Sequence, residues 1–349
     1  MDETEFKIMD ALSRDPDERI SISALTRDIH RLHGTAHYPN IYKSIQRMHE
    51  EGIIDIGRTG NSSLVSLNIG NMQTIDALTE MEIRRKRILL AKWKDLRRLL
   101  ESISADLPTC QASLIDAERN VKLNRAELLI QLPECPRDAH LDETLLKKLH
   151  EIEGRLNLRI DALMLDEMEF RALLAARDRN QLKEMLSRHT ALQASDLLWN
   201  RIRNAWARGI RIHFDTDETI PAKISEEDLI HNLARFGYTE FGARIGEGKD
   251  IGIEYIVIAL LLNGNARRIN AIPVILAKNK TNYSLLLFLA KKHGLQSELY
   301  GLLNALARHK EDSDLRRTLR FLEKLNVREV KVNDASIEKT MRTYNALAQ

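Results

Sequence analysis

The residues whose types and spacing could do chemistry gather in two stretches, SLIDAERNVKLNRAELLIQLPE (113–134) and RIDALMLDEMEF (159–170). Glu127 stands at the start of an apolar run, 126–132, that reads as a buried strand, and Asp161 lies near the start of a second, 158–165. Strand-borne carboxylates after a loop suit a divalent cation held against a phosphate, because hard oxygen ligands are what Mg²⁺ takes. The polar loop before Glu127 has no glycine, although backbone that wraps a phosphate adopts conformations costly for a residue with a Cβ. The stretch is therefore either an active site or the scaffold of one that has lost its chemistry.

The whole chain bounds the choice. Its 349 residues are enough for two or three domains, and 15 Gly and 7 Pro imply a mostly helical protein with few long loops. Lys+Arg 53 against Asp+Glu 51 leaves a net charge of +2, so any contact with nucleic acid must be local. Two cysteines, Cys110 and Cys135, make neither a disulfide framework nor a four-ligand zinc site and read as reduced thiols. The acidic N-terminus, MDETEFKIMD, lacks the apolar stretch of a signal peptide, and no apolar run approaches the ~20 residues that span a bilayer. A cytoplasmic location without membrane contact is expected.

In the first seventy residues, Phe6, Met9 and Leu12 give a helix over 5–13, and Ser23 is expected to cap a second helix over 24–33 that Gly34 ends. Pro39 opens a third helix, 39–51, with Ile41, Ile45 and Met48 inward and Asn40, Lys43, Ser44 and Arg47 outward. The strand-like runs 53–56 and 63–67 flank the turn GRTGNS, a hairpin signal. His30, His33 and His37 have metal-like spacing, but Gly34 interrupts the helix between them, and they read as solvated.

Three helices followed by a hairpin, with YPNIYKSIQRMHEEGIIDI at their junction, resemble a winged helix-turn-helix domain over about 3–70. The resemblance implies double-stranded DNA as partner, with Tyr38, Asn40, Tyr42, Lys43, Ser44 and Arg47 facing the major groove and Arg58, Thr59 and Asn61 on the wing. One departure is electrostatic: residues 1–70 hold 8 Lys+Arg against 11 Asp+Glu.

Residues 76–102 read as one linking helix with Leu78, Met81, Ile88, Leu89, Trp93, Leu96 and Leu100 on its apolar side. Arg84, Arg85, Lys86, Arg87, Lys92, Lys94, Arg97 and Arg98 make it strongly basic, either as a solvated face or as a second surface for nucleic acid.

Beyond it, the order loop, strand, helix (142–157), strand, helix over about 105–205 resembles the minimal nucleotidyltransferase family of the DNA polymerase β superfamily. That family grips triphosphate with a Gly-Ser pair and holds two metal ions with two aspartates one residue apart, sometimes joined by a third. Carried over, the Gly-Ser pair falls on Ala112-Ser113, the aspartates on Arg125 and Glu127, and the third carboxylate on Asp161. Glycine and the first aspartate are both missing, which implies an inactive domain with no catalytic residue, metal or cofactor.

The remainder reads as a helix over 197–208, an extended link (RIHFDTDETIPAKIS) and a helical array over 226–236, 251–263, 267–278, 282–293, 296–309 and 312–325, with Pro273 marking a kink or boundary. Glu254, Arg267 and Arg268 could form a polar pocket, but read rather as an ordinary surface ion pair. The array resembles helical regions attached to abortive-infection and nucleotidyltransferase-like antitoxins, which implies a toxin or other protein partner. The expected fold is α+β and mostly helical: a winged helix (1–72), a basic linking helix (73–102), a small mixed α/β nucleotidyltransferase-like domain (103–210) and an all-α domain (220–349). The expected function is a DNA-binding transcriptional regulator that binds paired half-sites as a dimer. The alternatives are an active nucleotidyltransferase modifying protein or RNA, and a protein–protein adaptor.

Overall fold

The computed structural model describes residues 1–60, 62–93, 95–133, 139–239 and 246–346. It is α+β and mostly helical, with two small sheets. Cys135, Lys94 and Asn61 lie outside the described residues.

The chain opens with α1 (Glu3–Leu12), whose start is fixed by reciprocal bonds: Asp2 Oδ1 accepts from Glu5 N at 2.9 Å and Glu5 Oε2 from Asp2 N at 2.7 Å. A two-residue strand, β1 (Ile20–Ser21), leads straight into α2 (Ile22–His33). The cap is Ser21 rather than Ser23, because Ser21 Oγ takes the Ala24 N–H at 3.2 Å. Gly34, at φ 74°, ends α2 in the left-handed conformation. Then come α3 (Tyr38–Glu50) and the antiparallel pair β2 (Ile54–Thr59) and β3 (Ser62–Leu67), with sheet order β1-β3-β2. Met9, Leu25, Ile45, Ile54 and Val65 close the core beneath.

The single helix expected over 76–102 is two: α4 (Met72–Lys92) and α5 (Asp95–Asp106), parted at Trp93, which is extended. The two halves serve different layers. Leu78 and Met81 join the apolar cluster of the first seventy residues, whereas Leu89, Leu99 and Ile103 join a second cluster beneath the larger sheet.

The polar loop expected before Glu127 is a strand and a helix, β4 (Gln111–Ile115) and α6 (Ala117–Lys122). There follow β5 (Arg125–Gln131), α7 (Ala139–Leu156), β6 (Arg159–Leu165), α8 (Glu167–Ala175), α9 (Gln181–Ser187), β7 (His189–Gln193) and α10 (Ser195–Ala207). The sheet runs β6-β5-β4-β7, with β5 and β6 parallel and joined through α7, and the other pairs antiparallel. One face (Leu114, Leu128, Ile130, Met164) packs on α5 and α7; the other (Ile115, Leu129, Leu163, Leu165) belongs to the large cluster that continues into the C-terminal helices.

Those helices are α11 (Glu226–Arg235), α12 (Ile253–Asn263), α13 (Ala266–Ile269), α14 (Ala271–Lys278), α15 (Tyr283–His293), α16 (Gln296–Ala307), α17 (Ser313–Lys324) and α18 (Asp334–Thr343). The boundary near Pro273 falls at Asn270, which leaves the proline in the first turn of α14, where its missing N–H removes no helical bond. In the link before α11, Ile212 and Phe214 are fully buried, and Phe214 N donates to Asp15 Oδ1 at 3.2 Å. No helix among the described residues is long and apolar enough to cross a membrane.

Much of the basic run 84–87 turns inward. Arg85 is enclosed: its Nε donates to Asp10 Oδ1 at 2.8 Å, one terminal nitrogen reaches Glu82 Oε1 at 2.7 Å and the His189 carbonyl at 3.0 Å, and the other reaches Ser13 Oγ at 3.1 Å. Glu82 also takes the Ala191 N–H at 2.8 Å, and His33, expected to be solvated, comes within 3.0 Å of Asp10. Burial pushes Asp10 and Glu82 up, but the Arg85 charge and neighbouring histidines outweigh it and hold both below the usual carboxylate range. Lys86 donates to the Leu192 carbonyl at 3.0 Å, and Arg84 lies 4.6 Å above the Phe6 ring. Arg87, Arg97 and Arg98 remain exposed.

Two further carboxyl groups are buried with the opposite result. Glu184 takes the Thr219 N–H at 3.0 Å and Glu254 the Asn282 N–H at 2.7 Å, yet loss of hydration dominates and pushes each up to about 7. Glu254 therefore does not pair with Arg267 or Arg268 at the surface; Arg268 bonds Glu226 at 2.9 Å instead.

Two predictions follow from these charges. Arg85→Met leaves Asp10 and Glu82 buried without their cation and should cost about 3–5 kcal/mol in urea unfolding, against about 1 kcal/mol or less for Arg84→Met; equal losses would show that the buried guanidinium is not the joint. For Glu254, a raised folded pKa favours the protonated form. Its contribution is fully present below the unfolded value near 4.5 and is lost as pH rises through about 7. Glu254→Gln should thus gain roughly 2–3 kcal/mol on the parent between pH 5 and pH 8 in calorimetry, and a pH-independent difference would contradict the assignment.

Candidate functional site

The two regions singled out by sequence fare differently. On α3, Tyr38 and Tyr42 are each 45% exposed and stack with ring centroids 6.3 Å apart. Asn40 and Lys43 are exposed beside them, with no side-chain partner among the described residues. Ser44 departs from the expected outward face: it is buried, because positions 41, 44, 45 and 48 together make the inward stripe of a helix with 3.6 residues per turn. Arg47 is half-exposed, but its guanidinium is held by Asp2 Oδ2 and Glu5 Oε1, both at 2.5 Å. The carboxylates that cap α1 thus also hold the last outward cation of α3. On the hairpin, Arg58 and Thr59 are exposed at the end of β2, paired across to Ser63 and Ser62, and Gly60 turns the chain at φ 59°.

In the larger sheet, Glu127 and Asp161 are brought side by side. They are register partners on the parallel strands β5 and β6. Ser113 is not at a loop entry but inside β4, fully buried opposite Leu129, with its Oγ accepting from Gln111 Nε2 at 2.8 Å. Ser113 does not line the opening beside Glu127.

Cations occupy the ground between the two acids. Arg125 Nε lies 2.8 Å from Asp161 Oδ2, and a terminal nitrogen of Arg125 donates to Glu127 Oε2 at 3.1 Å. Arg159 Nε approaches Asp161 at 3.1 Å, and Lys292, from the end of α15, bonds Glu127 Oε1 at 3.1 Å. Nothing but its position at the end of an apolar helix marks Lys292 in the sequence, so this partner could not have been anticipated there. Arg119 bonds Glu218 at 2.9 Å at the rim.

The opening above this lattice, between Asp116, Arg119, Glu127, Arg188, Glu218 and Lys292, measures about 30 Å³. That admits a water or two and falls far short of the ~300 Å³ at which small-molecule sites begin. Among the described residues, no group of three or more His, Cys, Asp or Glu side chains could hold a metal ion. What the arrangement does is neutralise two strand carboxylates with three cations and tie α15 to the sheet.

Arg125 is then a structural cation. Arg125→Met should leave the fully buried Asp161 with Arg159 alone and cost about 2–4 kcal/mol in denaturant unfolding, whereas a loss below about 0.5 kcal/mol would show that the carboxylates need no such partner. Against known proteins, no family model, no curated protein and no solved structure matches this chain.

Proposed function

We propose that the protein is a DNA-binding regulator in which residues 1–70 act as a winged helix-turn-helix, α3 enters the major groove, and the β2–β3 hairpin is the wing. The observation that carries this reading is the outer face of α3. Two stacked tyrosines, an amide and an ammonium stand exposed there, and burial of apolar surface gives no reason for them. Asn40 offers the paired donor and acceptor that read an adenine edge, Lys43 and Arg58 supply phosphate attraction, and the tyrosines contact backbone and sugar. The order of three helices and a three-stranded antiparallel sheet supports the same reading. A homodimer on paired half-sites would raise both affinity and selectivity.

The larger sheet and its helices serve, in this proposal, as a catalytically silent nucleotidyltransferase-like scaffold for dimerisation, sensing or binding of a protein such as a toxin. Against transfer of a nucleotide to protein or RNA stand Arg125 and Lys292 on Glu127, Arg125 and Arg159 on Asp161, and the burial of Ser113.

Binding of the full chain to labelled genomic fragments, followed by anisotropy across a salt series, tests the proposal. Lys43→Glu with Arg58→Glu should weaken binding at least about tenfold and lower the salt slope by about 2. Binding unchanged by that pair would exclude α3 and the hairpin as the DNA surface. Mg²⁺-dependent labelling by a nucleoside triphosphate, lost in Glu127→Ala, would overturn the silent scaffold.

A further inference from the structure

A larger cavity lies away from the carboxylate pair, between α8, the 279–283 turn, α12 and α17, and encloses about 470 Å³. That is within the range of small-molecule sites. Acids reach it from separate elements: Asp166 from the cap of α8, Asp178 from the loop after α8, Glu254 from α12 and Asp314 from α17. Two of them are already paired, Asp178 with Arg235 at 2.6 Å and Asp314 with Arg317 at 3.5 Å, which leaves Asp166 and Glu254 without a cation among the described residues. Arg317 lies within 3.8 Å of Asp142, 3.7 Å of Glu169 and 3.5 Å of Asp314, so its charge is matched within the wall, and Lys280 is exposed at the rim.

A second observation is independent of charge. Tyr283 is 3% exposed, yet its hydroxyl has no hydrogen-bond partner, and the buried Thr281 Oγ1 beside it in the lining has none either. A buried polar group without a partner is rare in folded proteins and costs stability unless something else satisfies it. Ala172, Leu173 and Phe236 give the same cavity an apolar wall.

We propose that this cavity binds an aliphatic di- or polyamine. Its ammonium groups would donate to Glu254 and Asp166, with the Tyr283 and Thr281 hydroxyls accepting further N–H bonds, and its methylene segments would lie along Ala172, Leu173 and Phe236. An organic cation fits better than a metal ion, because no metal-holding group of acids exists among the described residues and part of the wall is apolar. Glu254 is suited to the role. Burial pushes its pKa up to about 7, so the protonated form is well populated in the free protein, and a bound cation would shift it towards the carboxylate.

The test uses the full chain and titrates putrescine and spermidine by calorimetry and thermal shift, with 1,4-butanediol and Mg²⁺ at matched ionic strength as comparisons. Saturable binding of an amine at one equivalent, with a rise in melting temperature given by neither comparison, is expected. Tyr283→Phe should melt no lower than the parent without ligand, since its hydroxyl bonds nothing there, and bind the amine about tenfold more weakly. Glu254→Gln should fold at least as stably as the parent at pH 8 and lose about a hundredfold in affinity. The proposal is overturned if neither amine saturates, if Mg²⁺ gives the same shift, or if both variants bind as the parent does. No DNA enters the measurement, so its outcome is separate from that for α3.

Discussion

One buried guanidinium holds the two sheets of this protein in a fixed relation. Arg85 projects from α4 into a space bounded by α1 and β7, and bonds Asp10 and Ser13 on one side and Glu82 and the His189 carbonyl on the other. Each partner alone would be an expensive buried charge; together they satisfy one another. Glu82 carries the link further by taking the Ala191 N–H, so the edge strand of the larger sheet is joined to the helix leaving the smaller one. Two other ties lie nearby: the Arg203 Nε bond to the Gly70 carbonyl at 3.2 Å, and Phe214 N on Asp15. Gly70 is glycine for a steric reason, since a Cβ there would meet the Trp206 ring at 2.7 Å.

The same logic governs the strand carboxylates. Glu127 and Asp161 side by side on parallel strands would repel one another, and in a metal enzyme a divalent ion pays for that proximity. Here Arg125, Arg159 and Lys292 fill the place of an ion, and the closing of α15 over β6 supplies one of them. Because Lys292 belongs to the C-terminal helices, neutralising the pair also fixes where α15 docks. The nearby Lys291 adds a bond to the Ile160 carbonyl at 2.9 Å. Ionic contacts of this kind specify position more than they add stability, since the cost of dehydrating each group offsets much of the attraction.

How much of this was legible in the sequence depends on what kind of force set each feature. Elements governed by local periodicity were read within a few residues: α3 from Ile41, Ile45 and Met48, β5 and β6 from their apolar runs, and α15 from its leucines. Gly34 and Gly294 ended helices where left-handed backbone requires glycine. Features set by distant partners were not legible. β1 exists because Ile20 pairs with Val65, and β4 was hidden in a stretch read as loop because its five residues include only three apolar ones and one of its two partners, β7, is remote in sequence. The break at Trp93 reflects two layers claiming two halves of one amphipathic pattern. Charges were hardest of all: Arg85, His33 and Glu254 looked like surface residues, and only the folded chain shows which partners make their burial tolerable.

A rigid joint between the sheets also limits how a signal could travel. The link before α11 is packed rather than loose, with Ile212 and Phe214 fully buried, and one apolar cluster runs from Phe6 through Trp199 to Met341. A ligand among α8, α12 and α17 therefore cannot act on α3 by releasing a tether. It must shift packed elements that have two arrangements, or change how two copies of the chain meet. The second route asks less of this architecture. A small rotation of α8 or α17 can alter an intermolecular surface without disturbing Arg85, whereas any change in the angle between the two sheets must break a buried ion network several bonds deep. For the regulator and dimer proposed above, altered association of two copies, each moving as one body, is the mode that the Arg85 joint leaves least costly.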